Sequence, residues 1–216
     1  EYTNLQEYRL GTAPNNADSH PTTIPPGLRA WWKFDEGGGN SLLDSSLNGH
    51  DAVMNYSPSS PWTNGVISNA VVTSSWHLFG APYDTSLMPT QTFTLTAWYR
   101  PTANSWDVTV QRYVFSGSVA TAWDQIAFQL RVVRGDVYFS EPSCPDLPLI
   151  ATGRFVNPYQ WHLLAVVCSP TNVSLYVDGR FVTNRTVDCP PPVTKWLQIG
   201  GRLMNPSYYD YEFELD

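Results

Sequence analysis

The sequence predicts an all-β fold in which short antiparallel strands pack as a sandwich. Proline occurs 18 times and glycine 14 times in 216 residues, a composition that favours many tight turns. No window of about 11 residues or more shows a helical period. The stretch Tyr159–Val182 instead alternates apolar and polar residues on both sides of an Asp-Gly turn. A chain of this length can bury one sizeable core, so we predict a single sandwich.

The Tyr159–Val182 stretch gives the strongest local prediction. Leu163–Cys168 is an apolar run, and Ser169–Asn172 interrupts it with a proline and an asparagine. Val173–Val177 then alternates, and Asp178-Gly179 follows before the apolar pattern resumes. Period-2 runs joined by Asp-Gly are typical of a β-hairpin. We therefore predict a three-stranded antiparallel meander here.

Other strands are predicted from shorter apolar or alternating runs. They are Ala30–Phe34, Val66–Val72, Leu78–Phe79, Phe93–Arg100, Tyr113–Ser116, Ile126–Val133, Val137–Ser140, Trp196–Ile199 and Tyr208–Asp216. Phe93–Arg100 carries bulk on both faces, which indicates a strand in the interior of a sheet. Tyr208–Asp216 alternates apolar with acidic residues, and the sequence stops within this half-buried strand.

The first 27 residues differ in character from the rest. Glu1–Gly27 is polar and contains proline, and we assign it as an extended segment outside the core, with the sandwich covering Leu28–Asp216. A segment of this composition is commonly a disordered linker. Its first ten residues also suit a strand that lacks a partner of its own. Because the sequence opens with Glu1 and not methionine, we expect it to be part of a longer product.

Charge and hydropathy exclude some functions. The formal net charge is −7, whereas a nucleic-acid partner requires a basic stripe. No apolar run approaches the roughly 20 residues that span a bilayer. The acidic balance is compatible with a divalent cation.

The glycosylation and cysteine patterns favour a secreted protein. Sequons occur at Asn55, Asn172 and Asn184, which predicts an extracellular, N-glycosylated product. Three cysteines allow at most one internal disulfide.

For the disulfide we favour Cys144–Cys189, because both cysteines precede proline in loop-like contexts, with Cys168 free and buried. Cys168–Cys189 is the alternative pairing. The cysteine spacing matches no zinc pattern.

Several blocks of sequence resemble the laminin-G-like, concanavalin-A-like jelly-roll domain family. AWWKFDEGGGN followed by DSSLNGHDA resembles the opening of that family, and TFTLTAWYRP resembles its central strand. QWHLLAVV, SLYVDGRFV and LQIGGR resemble its later strands, in the same order. The resemblance implies two antiparallel sheets packed face to face, one with a concave face. Two features depart from it: the final strand is cut short, and Glu1–Gly27 has no counterpart.

The resemblance also implies a structural calcium site. It assigns Asp44, Asn48 and Asp216 as ligands, with carbonyl oxygens completing the coordination that a hard cation prefers. The alternative is an Asx-turn, in which Asp44 and Asn48 cap their own backbone.

An enzymatic function finds little support in the sequence. Glu212, Glu214 and Asp216 alternate on one strand face, as the acids of glycoside hydrolases do, but we interpret them as the solvated face of an edge strand. No nucleophile triad is recognisable, and we expect His162 to pack or hydrogen-bond within the sandwich. We predict no catalytic residues. Loop aromatics are candidates either for sugar stacking or for the core: Trp62, Trp76, Tyr83, Trp106 and Trp123.

Two functions from different classes follow. The first is a non-enzymatic structural subunit of an extracellular assembly. In it, Tyr2, Leu5, Tyr8 and Leu10 of one copy fill the gap left by the short last strand of the next, which builds a head-to-tail fibril. The second is a lectin-like module that binds carbohydrate or protein within a larger extracellular protein. A glycoside hydrolase ranks third.

Overall fold

The predicted all-β class is confirmed by a computed structural model. It describes residues 24–54, 61–73, 79–81, 84, 86–87, 92–102, 111–118, 126–141, 144, 149–153, 155–188, 196–201 and 213–216. In these ranges the chain forms fifteen strands and no helix. A helix long and apolar enough to cross a membrane is therefore not found in the part of the chain described.

The strands form two antiparallel sheets. Their bounds are β1 Ser41–Leu42, β2 Ala52–Met54, β3 Trp62–Asn64, β4 Asn69–Thr73, β5 Phe79–Ala81, β6 Phe93–Pro101, β7 Gln111–Ser118, β8 Ile126–Val133, β9 Asp136–Ser140, β10 Leu149–Ala151, β11 His162–Ser169, β12 Asn172–Val177, β13 Arg180–Thr186, β14 Trp196–Ile199 and β15 Phe213–Leu215. The eight-stranded sheet has the order β1-β2-β5-β14-β7-β8-β9-β10. The seven-stranded sheet has the order β13-β12-β11-β6-β15-β4-β3.

The core lies between the inner faces of the two sheets. Along β6, Ala97 and Tyr99 are buried, whereas the residues between and beside them are partly exposed. The Tyr99 ring packs on Phe213 of β15 at a centroid distance of 5.2 Å. Phe128 and Phe139 stack at 6.3 Å within the other sheet. Buried and exposed side chains alternate along the strands, so the inward-facing side chains of both sheets form one apolar layer between them.

The predicted meander is confirmed. β11 pairs with β12 and β12 with β13, all antiparallel. Asp178 and Gly179 both have positive φ, at 53° and 73°, which is the type I′ geometry that suits a two-residue hairpin turn. His162 is buried as expected, and its Nδ1 lies 2.9 Å from the Asp178 carboxylate.

The prediction of a strand at Ala30–Phe34 is wrong. The segment makes one isolated bridge, between Trp32 and Asp44. The Trp31 N–H donates to the Asp44 side chain, and the Trp31 carbonyl accepts from Ser45 N–H. Phe34 has a φ of 55°, outside the β region. The backbone of Trp31 therefore bonds to the Asp44 side chain and to the turn at Ser45, and not to a neighbouring strand.

The interpretation of the last strand as an edge strand is also wrong. β15 pairs with β4 on one side and with β6 on the other. Glu214 is consequently buried rather than solvated, with 6% of its surface exposed. The last strand therefore lies inside the seven-stranded sheet, between β4 and β6.

Candidate functional site

Among the described residues, the strand β6 extends beyond its neighbour β15 at the Phe93–Ala97 end. The last backbone pair joins Trp98 and Asp216, with N–H to carbonyl distances of 3.1 and 3.2 Å. Alternation along an antiparallel ladder turns the N–H and C=O groups of Thr96 and Thr94 to the same side. Within the described residues, no strand pairs with β6 on this side between Phe93 and Ala97. An unpaired edge of this kind is a template for another strand.

A cavity of about 660 Å³ lies along this edge, and we call it the β6 cleft. Its floor consists of buried core side chains of the eight-stranded sheet, namely Phe115, Phe128, Leu197 and Ile199. Phe93 and Leu95 of β6 form one wall and are only partly buried. Leu215 and Asp216 close one end. The cleft therefore borders the hydrophobic core, whose side chains on the floor are buried.

The opposite wall of the cleft is the segment Pro25–Phe34. Asn48 Nδ2 donates to the carbonyls of Leu28 and Arg29, each at 2.9 Å. The Arg29 carbonyl also lies 2.9 Å from Nδ1 of His50. These groups of the wall are directed to the loop at residues 44–51 and away from the cleft.

Asp44 holds the wall and the loop together. Its fully buried carboxylate accepts hydrogen bonds from the Trp31 N–H at 2.9 Å, from the Ser46 N–H and Oγ at 2.8 Å, and from the His50 N–H at 3.0 Å. Burial alone would raise the pKa of this carboxyl, but the hydrogen bonds from Ser46, Trp31 and His50 outweigh it. The pKa of Asp44 is accordingly lowered from its ordinary 3.8.

The residues implied as calcium ligands do not fit such an ion. Asp44 and Asn48 meet through Ser46, but both Asp44 oxygens accept N–H or O–H donors. Asp216 accepts from the Val66 and Ile67 N–H groups in the β3–β4 turn. In the described part of the chain, no group of three or more His, Cys, Asp or Glu side chains is placed to hold a metal. Asp44 matches the Asx-turn alternative through the Ser46 N–H, whereas the Asn48 side chain donates to the Leu28 and Arg29 carbonyls and does not cap its own backbone.

We expect calcium removal to leave the sandwich unchanged. The Asp44 oxygens are occupied by protein donors, so an added ion would have to displace hydrogen bonds that stabilise the loop. Differential scanning calorimetry in EDTA and in millimolar calcium should give the same unfolding temperature. A calcium-dependent rise of several degrees, absent with magnesium, would contradict this expectation and restore the calcium site.

The two acidic residues described at the last strand have structural partners, and Glu214 forms an ion pair. Glu214 contacts the Arg100 guanidinium, which lies over the Trp161 ring at 5.0 Å. Burial raises the pKa of Asp216, and hydrogen bonds from Val66 and Ile67 oppose that effect. Glu212 lies outside the described residues. We derive no acid–base step from this arrangement.

Two of the three sequons lie on neighbouring strands. Asn184 is exposed on β13, the outermost strand of the seven-stranded sheet. Asn172 is partly buried at the start of β12, where its Nδ2 donates to the Ser174 hydroxyl at 2.8 Å. Asn55 lies outside the described residues.

Cys144 is disulfide-bonded, and Cys168 is free and buried. Cys189 lies outside the described residues, as do Tyr2, Leu5, Tyr8 and Leu10 of the proposed assembly segment. Trp62 contributes to the core, and its indole N–H donates to the Gly39 carbonyl at 3.0 Å. The other four loop aromatics named above also lie outside the described residues.

Sequence reasoning missed the walls and floor of the cleft. Pro25 and Gly27 were assigned to the extension, yet they line the cavity beside the core. The Leu28 N–H bonds to the Pro25 carbonyl at 3.1 Å, which closes a turn within this wall. One feature of the sequence could have indicated the cleft: the alternating stretch that forms β6, Phe93–Pro101, is longer than β15, Phe213–Leu215.

The sheet order and the packed core define a jelly-roll sandwich of the lectin-like class. Residues 79–214, more than half of the chain, match the Concanavalin A-like lectin/glucanases superfamily. The protein belongs to this family, which agrees with the sequence resemblance. A comparison with curated protein sequences finds no match.

Solved structures with the same fold include binding domains of toxins and one domain of an enzyme. The binding domain of Paraclostridial Mosquitocidal Protein 1 has a TM-score of 0.62 at 12% identity, covering 82% of this chain and 47% of that one. The Botulinum Neurotoxin Type G receptor binding domain has a TM-score of 0.59 at 12% identity, covering 88% and 46%. The chain thus spans about half the length of these toxin domains.

A third neighbour is similar over almost its whole length. Domain 4 of an extracellular arabinanase from Geobacillus stearothermophilus, in complex with arabinotriose, has a TM-score of 0.60 at 16% identity. The alignment covers 87% of this chain and 91% of that domain. At this identity the likeness concerns the fold alone.

Proposed function

We propose that the protein is a non-enzymatic structural subunit of an extracellular assembly. In this assembly the N-terminal segment of one copy adds a strand to the β6 cleft of the next copy. The observation that carries the proposal is the Phe93–Ala97 part of β6, which borders the cleft and which no described strand pairs on its β15 side. Strand addition supplies backbone hydrogen bonds along the edge and apolar side chains for the cleft.

The same contact accounts for growth into a filament. The donated segment and the cleft are different surfaces, so the contact is heterologous, and heterologous contacts that do not close a ring propagate. The 23 residues that precede Ile24 reach at most roughly 75–80 Å when extended.

Two observations support an extracellular location. Cys144 forms a disulfide, and disulfides persist mainly in oxidising compartments. The sequons at Asn172 and Asn184 lie on β12 and β13, separated from the cleft by β11 and β6. Glycans at these positions would leave the cleft accessible and would coat one side of a fibre.

The test is the size of the native particle with and without the segment. Light scattering and negative-stain imaging should show long particles for the full chain. The variant that lacks Glu1–Leu10 should have the mass of a single subunit, which for the full chain is 24.2 kDa. The unfolding temperature of both proteins serves as the control that the deletion leaves the sandwich folded. Equal particle sizes would refute the assembly function.

A second function is carbohydrate binding, and it is favoured by an exposed aromatic pair. Phe181 on β13 is 58% exposed and meets Tyr176 edge-on at 5.8 Å. Exposed aromatic rings can stack on sugars, and one neighbour with this fold holds arabinotriose. A monomer that binds arabino-oligosaccharides, with binding lost in Phe181→Ser, would favour this alternative.

A further inference from the structure

We infer that the first sugar of an N-glycan on Asn184 packs on the exposed ring of Phe181, so that the glycan covers an aromatic pair of its own domain. This sugar is an N-acetylglucosamine joined through C1 to Nδ2 of Asn184. In its attachment the C1–Nδ2 bond forms, the amide loses one proton, and the C1–O bond to a lipid pyrophosphate donor breaks. The inference rests on the proposed extracellular location and does not depend on assembly through the β6 cleft.

A β-bulge places Phe181 and Asn184 on the same face of the seven-stranded sheet. Residues three apart on a regular strand face opposite sides, because side chains alternate. In the β12–β13 ladder, Tyr176 lies opposite Phe181. Ser174, two residues earlier on β12, lies opposite Asn184, three residues later on β13. The extra residue is Val182, which packs against the core, so the bulge turns Phe181 and Asn184 outward together.

Burial and ring geometry identify this face as the outer one. Leu175 and Val177 of β12 are buried in the core, whereas Tyr176 between them is only partly buried. The rings of Tyr176 and Phe181 meet edge-on, with 5.8 Å between centroids and 74° between planes. More than half of the Phe181 surface is exposed. An exposed ring retains apolar area that a second surface can cover.

Asn184 carries its side chain within reach of the Phe181 ring. The cross-strand partners of the two residues lie two positions apart on β12, which is roughly 6–7 Å along the strand. Asn184 is exposed, and in the described part of the chain its side chain has no hydrogen-bond partner. A sugar joined to this amide is therefore free to turn toward the ring, and the C–H groups of a sugar ring pack on an aromatic face.

The second sequon on this hairpin lacks these features. Asn172 lies on the same face but four residues from Tyr176, roughly 13 Å along β12. Its Nδ2 donates to the Ser174 hydroxyl at 2.8 Å, and the residue is partly buried. The first sugar of a glycan at Asn172 would not reach the aromatic pair, which makes Asn172 a matched control on the same strand pair.

The contact has two consequences for the surface of the hairpin. In the described sheet, β13 is the outermost strand, and an exposed apolar edge strand tends to pair with other chains. A glycan over Phe181 would cover apolar surface on that strand. It would also occupy the ring that the carbohydrate-binding alternative uses, so one fully glycosylated molecule cannot serve both purposes.

A double-mutant cycle on the full chain secreted from eukaryotic cells tests the contact. Asn184→Gln should lower the unfolding temperature of the parent by roughly 2–4 °C, the shift that about 1 kcal/mol produces in a domain of this size. In the Phe181→Thr background the same substitution should lower it by less than half as much, because threonine suits a strand but has no ring. Phe181→Tyr keeps the ring and should restore the full effect. Enzymatic removal of the glycan from the folded proteins repeats the comparison without a substitution at Asn184.

The control is Asn172→Gln, whose effect should be equal in the Phe181 and Phe181→Thr backgrounds. Equal effects of Asn184→Gln in the two backgrounds would overturn the inference, as would peptide mass spectrometry that finds Asn184 without a glycan. The assembly function is measured separately, by particle size. Long particles without coupling between Phe181 and Asn184 would refute only the glycan contact, and coupling in a monomer would support the contact and refute the assembly.

Discussion

A synthetic peptide of residues 1–14 is expected to raise the unfolding temperature of a variant that lacks these residues. In that variant the β6 cleft is open, and the core residues Phe115 and Phe128 line it. A ligand that binds only the folded state at 100 times its Kd stabilises that state by about 2.7 kcal/mol. For a domain of this size the corresponding rise is roughly 5–10 °C. Differential scanning fluorimetry over a peptide titration measures it.

The control peptide carries Tyr8→Asp and Leu10→Asp and has the same length. It keeps the backbone donors and acceptors but replaces two apolar side chains by carboxylates. An unpaired charge is disfavoured against the apolar lining of the cleft. It should leave the unfolding temperature unchanged. If both peptides raise it equally, or if neither does at millimolar concentration, the β6 cleft does not accept this segment.

The elements that sequence reasoning placed well are those whose signals are local. β8 and β14 were predicted with their observed bounds, and the meander around Asp178 was predicted with its turn. The position of β15 was predicted wrongly because its partners are distant in sequence. Phe213 pairs with Thr73 and Pro101, and no local pattern indicates which strands flank it.

The same contrast between local sequence signals and contacts distant in sequence applies to the candidate site. The presence of a gap was inferred from the short last strand, but its location beside β6 depended on the sheet order. The sequence left Asp44 with two interpretations, a calcium ligand or an Asx-turn. The four donors around its carboxylate come from Trp31, Ser46 and His50, and only the folded chain brings Trp31 to this loop.

Replacing Asp44 by alanine is expected to destabilise the fold by about 2–6 kcal/mol, since the buried N–H groups of Ser46 and His50 would each cost about 1–3 kcal/mol without an acceptor. The N–H groups of Trp31, Ser46 and His50 lose their acceptor together, and the Ser46 hydroxyl loses one of its partners. Because Trp31 belongs to the wall of the β6 cleft, the variant should also bind the 1–14 peptide more weakly. Chemical denaturation and peptide titration measure the two effects. A loss below about 1 kcal/mol would show that water replaces the carboxylate, and that Asp44 does not hold the wall.

The Asp44→Asn variant separates the charge of this side chain from its shape, because asparagine keeps one carbonyl oxygen as an acceptor and loses the negative charge. The pKa of Asp44 is lowered in the folded state, so the ionised carboxylate stabilises the fold at pH values above its ordinary 3.8. That contribution is lost as the pH falls below 3.8 and through the folded-state pKa. The stability difference between the parent protein and Asp44→Asn should therefore be constant near neutral pH and shrink in acid. Taking this difference cancels the opposite contributions of Glu36 and Asp216, whose pKa values are raised by burial in both proteins. A difference that does not change with pH would show that the hydrogen-bond geometry of Asp44, and not its charge, stabilises the loop.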